Sequence, residues 1–266
     1  MTLRFAAFIA FLAKVSYSEG MALSKKFMSV EMLLRDMLYV SYLVPGSRVR
    51  PMVPDSLPLA TVDGTNVFVS LVIFRGKTAA LSLLPSPRFP FDQVNVRTYV
   101  TDPVTGKPAV YFVNCGISNG LITFLYGLFS GMPVEHIPYS IAPKQDTEGR
   151  YLEYAAAGNW YGRFSLTIRE VAPELTGLAP FATVQEAIDY LIDPLVGFYG
   201  PAEKLKRLEV FHPPLVPRVG EMTEASFPYL GKLGLVDPPE VIRPHSILLI
   251  PRTPFLIYLP AKRWNT

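Results

Sequence analysis

The sequence predicts a mainly β, single-domain fold, and three observations predict it. Twenty-six of the 266 residues are proline, about twice the usual share. Proline breaks helix interiors and is confined to strand edges and ends, so short strands joined by ordered turns are expected and long helical bundles are excluded. Residues 94–100 and 109–113 are β-branched and aromatic, and Asp102-Pro103-Val104-Thr105-Gly106 between them is turn chemistry; together they make a β-hairpin. Half the residues are hydrophobic and 18% are charged, which excludes disorder as the overall state. A chain of this length buries roughly 70–75% of its extended surface, enough for a sizeable core.

The elements follow in order. After Met1-Thr2-Leu3-Arg4 comes an apolar run at residues 5–13 and then Lys14. A run this short cannot cross a hydrocarbon core that needs about 20 residues. Residues 1–27 are an N-terminal extension with two readings. One is an amphipathic helix with Phe5, Phe8, Ile9 and Leu12 on one face; the other is a weak secretory signal over residues 1–18. The first places the protein in the cytoplasm and the second outside it. Residues 28–266 form the single domain. Within it, 28–44 reads as a helix turning into a strand, 45–58 as a turn-rich passage, 66–74 as a strand and 85–90 as a loop. In the hairpin, period-2 alternation puts Gln93, Asn95, Arg97 and Tyr99 on one face and Val94, Val96, Thr98 and Val100 on the other. That polar face is either the wet side of a half-exposed strand or the wall of a polar cavity in a barrel.

Residues 119–129 predict a short helix stopped by Gly131-Met132-Pro133. Residues 151–157 and 161–171 predict a strand pair around Gly158-Asn159. Residues 183–199 predict a helix capped by Thr183, with Glu186 three residues later and Pro194 ending or kinking it. Short strands are expected at 208–212, 246–250 and 255–259.

Composition and motifs exclude several functions. Lys and Arg exceed Asp and Glu by only 3, and no basic run is longer than two residues, so no nucleic-acid partner is expected. The one cysteine, Cys115, excludes an internal disulfide and a cysteine-based zinc site and reads as a small buried residue. There is no phosphate loop, dinucleotide fingerprint, GxSxG elbow or HExxH pair. His136, His212 and His245 are far apart in sequence, so no metal site is expected. His212, between Phe211 and Pro213-Pro214, reads as a buried ring or as a base.

At Asn95-Val96-Arg97-Thr98-Tyr99-Val100 the chain resembles the acetoacetate decarboxylase-like superfamily, and within it the large branch built on domain of unknown function 2071. The resemblance runs from about Met28 to the C-terminus. It includes Pro51-Met52-Val53-Pro54, Val110-Tyr111-Phe112, Leu191-Ile192 with Phe198-Tyr199, and Val210-Phe211-His212-Pro213-Pro214-Leu215. It implies a curved, mainly antiparallel β-barrel or cone with peripheral helices around a small-molecule cavity, which favours the cavity-wall reading of Gln93, Asn95, Arg97 and Tyr99. The family's decarboxylases form a Schiff base on a lysine that follows Gly-Phe-Pro. Here Gly131-Met132-Pro133 is followed by Val134 and Glu135, and the nearest lysine downstream is Lys144. Without an amine there is no imine at that position. Gln93 and Pro194-Leu195 stand where the unknown-function branch often carries Glu and Glu-Arg.

The resulting expectation is a cofactor-independent lyase or cyclase acting on a carbonyl-containing compound, including the polyketide-like compounds of secondary metabolism. Arg97 would anchor a carboxylate or enolate. Tyr99, Tyr111 and Asn95 would stabilise developing oxygen charge, Glu135 or His212 would move protons, and Gln93 and Asn114 would complete the binding wall. The rival readings are a non-catalytic small-molecule-binding barrel and a β-keto acid decarboxylase with a displaced lysine; each of the three readings is compatible with a homo-oligomer. A buried Arg97 needs an internal acid or an anionic ligand, and Glu135 is the expected internal partner.

Overall fold

The computed structural model describes residues 28–81, 89–172 and 179–264. The helix or signal expected within residues 1–27 lies outside them, as does most of the loop expected at 85–90. Seven strands follow one another round a ring: β1 (Met28–Pro45), β2 (Asn66–Leu81), β3 (Pro90–Thr101), β4 (Pro108–Ile117), β9 (Val196–Tyr199), β10 (Lys206–Phe211) and β12 (Ser246–Arg263). β12 pairs back onto β1 and closes a barrel. The ring is antiparallel except where β4 runs parallel to β9, and the short β5 (Val134–His136) also runs parallel to β4. A wing of β6 (Tyr139–Gln145), β7 (Tyr151–Asn159), β8 (Arg163–Glu170) and β11 (Arg218–Ser226) hangs on β12. Among the described residues there are also four short α-helices, α1 (Gly46–Val49), α2 (Gly120–Ser130), α3 (Val184–Leu191) and α4 (Pro228–Lys232). No described helix is long and apolar enough to cross a membrane.

The hairpin forms where its turn chemistry puts it. Asp102 accepts from the Val104 amide at 3.1 Å and from the Thr105 hydroxyl at 2.9 Å, so its side chain satisfies the turn it begins. The same carboxylate, fully buried, pairs with Arg207 at 2.8 Å and ties the turn to β10. Residues 93–100 are all buried, so β3 is a barrel wall with no wet side. One face, with Tyr39, Phe68, Tyr99, Cys115, Tyr199, Leu208 and Ile257, looks into the ring. The other, with Val40, Val69, Val94, Val96 and Val100, packs outward beneath α1, α4 and the wing.

Three sequence expectations are corrected. Residues 28–44 contain no helix. Asp36 takes a positive φ of 51° and the register with β2 shifts there, so Met32 and Leu34 face inward before the bulge, and Met37 and Tyr39 after it. That parity change, characteristic of a bulge, sets Leu34, Met37 and Leu38 at helical spacing and imitates a helix. The helix expected over 183–199 spans only α3: Thr183 caps it, accepting from the Glu186 amide at 3.1 Å, and Glu186 reaches back to the Ala182 amide at 2.9 Å. Pro194 ends it, and residues 196–199 join the barrel as β9. The strands expected at 246–250 and 255–259 are one strand, β12, which pairs with β1 in the same register on both sides of Pro251, the position opposite Asp36. The described wing strands β6 and β11 have no clear alternation and were not expected.

Candidate functional site

The inner face of β3 presents Gln93, Asn95, Arg97 and Tyr99 in sequence. Gln93 donates to Asn95 at 2.7 Å, a same-face pair two residues apart, and both are buried. Further up the strand the guanidinium of Arg97 lies over the ring of Tyr39, 5.1 Å from its centroid, and near that of Tyr99, at 5.5 Å. Its Nη2 donates to the main-chain carbonyl of Leu191 at 2.6 Å. The Tyr99 hydroxyl donates to the same oxygen at 2.7 Å and shares a hydrogen bond with Ser70, which continues to Ser41, each link 2.8 Å. Tyr39, Ser41, Ser70 and Tyr99 therefore form a polar layer of three adjacent strands around one cation.

The electrostatics follow from burial. Burial pulls the Arg97 pKa down, but the phenols of Tyr99 and Tyr39 more than offset it, and the guanidinium is held above its ordinary value. Burial pushes Tyr39 up to about 12 despite the Arg97 charge, so this phenol stays a donor at neutral pH. His212, 6% exposed, stacks on Phe255 at 4.9 Å. Burial and, less strongly, the Arg97 charge lower its pKa, so it is a neutral imidazole facing the Arg97 layer from beyond β10. Asp193, two residues past α3, has one buried carboxylate oxygen without a partner. Burial and the nearby Asp189 raise its pKa, and its charge is felt at Tyr39.

The structure divides the sequence-derived candidates into two groups. Gln93, Asn95, Arg97, Tyr99 and His212 share the barrel interior. Tyr111, Asn114 and Glu135 face outward: Tyr111 and Asn114 pair with the outward-facing Thr98 and Val96. Tyr111 donates to the Gly200 carbonyl at 3.1 Å. Asn114 donates to Glu135 at 2.5 Å and to the Tyr229 hydroxyl at 2.8 Å, and the Trp160 indole approaches Glu135 at 3.4 Å. Glu135 is thus not the partner of Arg97. A register shift in β4 opposite Val96 and Arg97 breaks the alternation from which the side of residues 111–114 could be read. In place of the internal acid expected for Arg97 the structure offers a helix C-terminus, the Leu191 carbonyl. The last carbonyls of a helix lack intrahelical donors and carry partial negative charge, and the side chains of Arg97 and Tyr99 supply the donors.

Sequence reasoning missed Tyr39 and Leu191, which meet Arg97, Ser70, which meets Tyr99, and Asp193, whose charge is felt at Tyr39, all supplied by other elements. It also missed Lys206 on β10, whose ammonium donates to the Ser130 carbonyl at 2.9 Å, where α2 ends against Gly131. Lys144 is exposed on the wing, paired with Glu153 at 2.6 Å. Cys115 is buried against Met132. Among the described residues no group of three or more His, Cys, Asp or Glu side chains converges as a metal site. A cleft of about 330 Å³ lies outside the barrel interior, lined by Tyr42, Glu240, Arg243 and His245 among others; none of the Arg97 layer lines it.

Comparison with known proteins gives a consistent picture of the fold. The family model DUF2071, described as an uncharacterized conserved protein, matches residues 31–253. No curated protein matches the chain. Among solved structures, the enduracididine biosynthesis enzyme MppR, complexed with the condensation product of pyruvate and imidazole 4-carboxaldehyde, is similar at 15% identity. That alignment has a TM-score of 0.59 and covers 88% of each chain. An acetoacetate decarboxylase-like enzyme from Sphingomonas wittichii RW1 is similar at 12% identity and a TM-score of 0.55, covering 89% of this chain and 92% of that one. Acetoacetate decarboxylase from Legionella pneumophila is similar at 8% identity and a TM-score of 0.54, covering 89% of this chain and 87% of that one. At these identities the likeness establishes the acetoacetate decarboxylase-like fold.

Proposed function

The chain belongs to the DUF2071 family and has the acetoacetate decarboxylase-like fold, and from that premise we propose that it is a lyase- or cyclase-type enzyme acting on a small carbonyl-containing carboxylate in the barrel interior, without a Schiff-base lysine. The observation that carries this reading is the convergence of Arg97 Nη2 and Tyr99 OH on a single oxygen at 2.6 and 2.7 Å. Preorganised donors aimed at one oxygen in a water-poor interior are what a carboxylate or a developing enolate requires. Tyr39, kept protonated by burial, adds a second phenol beside the guanidinium, after Tyr99, and helps fix the orientation of the cation. His212, neutral and in the same interior, is suited to take a proton from a carbon next to the carbonyl; Tyr99 would hold the enolate oxygen meanwhile. Val134 and Glu135 support chemistry without an imine, since neither offers an amine. The MppR structure holds a pyruvate condensation product, which makes keto acids the first compounds to try.

The experiment is calorimetry and NMR turnover with pyruvate, oxaloacetate and acetoacetate on the wild type, Arg97→Lys and Arg97→Met. Each lost charge-assisted bond weakens binding by about ten- to hundredfold, and a lysine point charge cannot reproduce the two-pronged contact. Equal affinity in all three proteins refutes the assignment of Arg97. The second reading, a non-catalytic binding barrel, is favoured by the removal of Glu135 from the site. Binding without turnover, unaltered in His212→Asn, would establish that reading instead.

A further inference from the structure

Arg97 is 8% exposed, yet one edge of its guanidinium is half used. Nη2 donates to Leu191, while Nε, on the same edge, is buried with no acceptor. Arg169 uses both donors of that edge elsewhere in the molecule, with Nε and Nη2 converging on one carboxylate oxygen, Glu221 Oε2, at 2.9 and 2.6 Å. A carboxylate can also fill this edge with two parallel bonds; the Leu191 carbonyl takes only half of it. The oxygen in place belongs to the last residue of α3, and Tyr99 converges on it from a second direction.

We propose that the Leu191 carbonyl is a removable stand-in for ligand: a carboxylate takes the Nε–Nη2 fork of Arg97, and the last turn of α3 withdraws to admit it. This rests on the function proposed above and deepens it by naming the oxygen that is replaced and the element that moves. α3 is suited to yield. It is eight residues long and buries only Ala187 and Leu191, and a helix this short has little stability of its own. Pro194 prevents it from extending. Its C-terminal end is held by Tyr190, whose ring lies 4.9 Å from that of Tyr99 and 5.7 Å from that of Phe68, and whose hydroxyl donates to the Ala60 carbonyl. The segment that withdraws also carries Asp193, so an acid leaves the neighbourhood of Tyr39 as the ligand's negative charge arrives.

The test is hydrogen exchange by mass spectrometry on the full chain, following peptides that cover residues 184–195, with pyruvate and with methyl pyruvate, which lacks the carboxylate. Pyruvate binding, read in parallel by calorimetry, should speed exchange in these peptides in wild type; methyl pyruvate should not, and Arg97→Lys should abolish the effect. Tyr190→Phe, which frees α3 from Ala60, should tighten pyruvate binding by about three- to tenfold, because a closed helix lowers apparent affinity by the fraction of time it is closed. Arg97-dependent pyruvate binding with unchanged or slowed exchange overturns the stand-in and leaves the functional proposal intact. Failure of pyruvate, oxaloacetate and acetoacetate to bind either wild type or Tyr190→Phe overturns both.

Discussion

Replacing Arg97 by methionine separates a functional arginine from a structural one. The substitution removes the Nη2 bond to Leu191, a charge-assisted contact worth about 1.5–3 kcal/mol. The carbonyl is not orphaned, because Tyr99 still donates to it at 2.7 Å. Against that loss, the buried guanidinium has no acidic partner and an unpaired Nε; the unpaired donor alone costs about 1–3 kcal/mol. The desolvation of the cation costs several kcal/mol more, offset by the Tyr39 and Tyr99 rings. Methionine has similar reach and packs well against those two rings. The net change in stability should therefore lie within about 1 kcal/mol of zero or be stabilising, a Tm shift of no more than about 2–4 °C downward for a domain of this size. Carboxylate binding should be lost at the same time. Urea unfolding followed by circular dichroism gives the midpoint and the slope m, and an unchanged m licenses the comparison. A loss of about 3 kcal/mol or more at constant m refutes the reasoning: Arg97 would then be the structural cap of α3, and the site would lie elsewhere.

Three further outcomes are expected. His212 has a folded-state pKa below its unfolded value of 6.5, so the unfolded chain binds the extra proton as pH falls below 6.5 and the folded protein is destabilised there; the urea midpoint of wild type should fall more between pH 7.5 and pH 5 than that of His212→Asn, and parallel curves would remove the assignment. Borohydride with acetoacetate should leave the intact mass unchanged; an adduct that disappears in Lys206→Ala would make that half-buried amine the displaced lysine. Burial pushes the Cys115 thiol well up, so it should resist iodoacetamide in the folded protein and react after denaturation; labelling of the native state would show that the α2 end of the barrel opens.

The sequence by itself determined the hairpin, its turn, the helix stop at Gly131 and the shared face of Gln93, Asn95, Arg97 and Tyr99, because these depend on local rules: turn residues, caps and a period of two along one strand; period alone left that face either wet or inward, and the family resemblance favoured inward. It misread residues 28–44, since the bulge at Asp36 flips the face of every later side chain and the resulting spacing imitates a helix. It set Glu135 and Asn114 beside Arg97, since nothing local shows that the β4 irregularity turns Asn114 to the outer face, where it holds Glu135 of β5. Only the tertiary structure decided what meets the guanidinium. Its acceptor is a main-chain carbonyl 94 positions away, and any residue type offers such a carbonyl. The residue's identity therefore carries no signal; only the end of a helix, carried into the barrel mouth by the fold, makes that oxygen a partner.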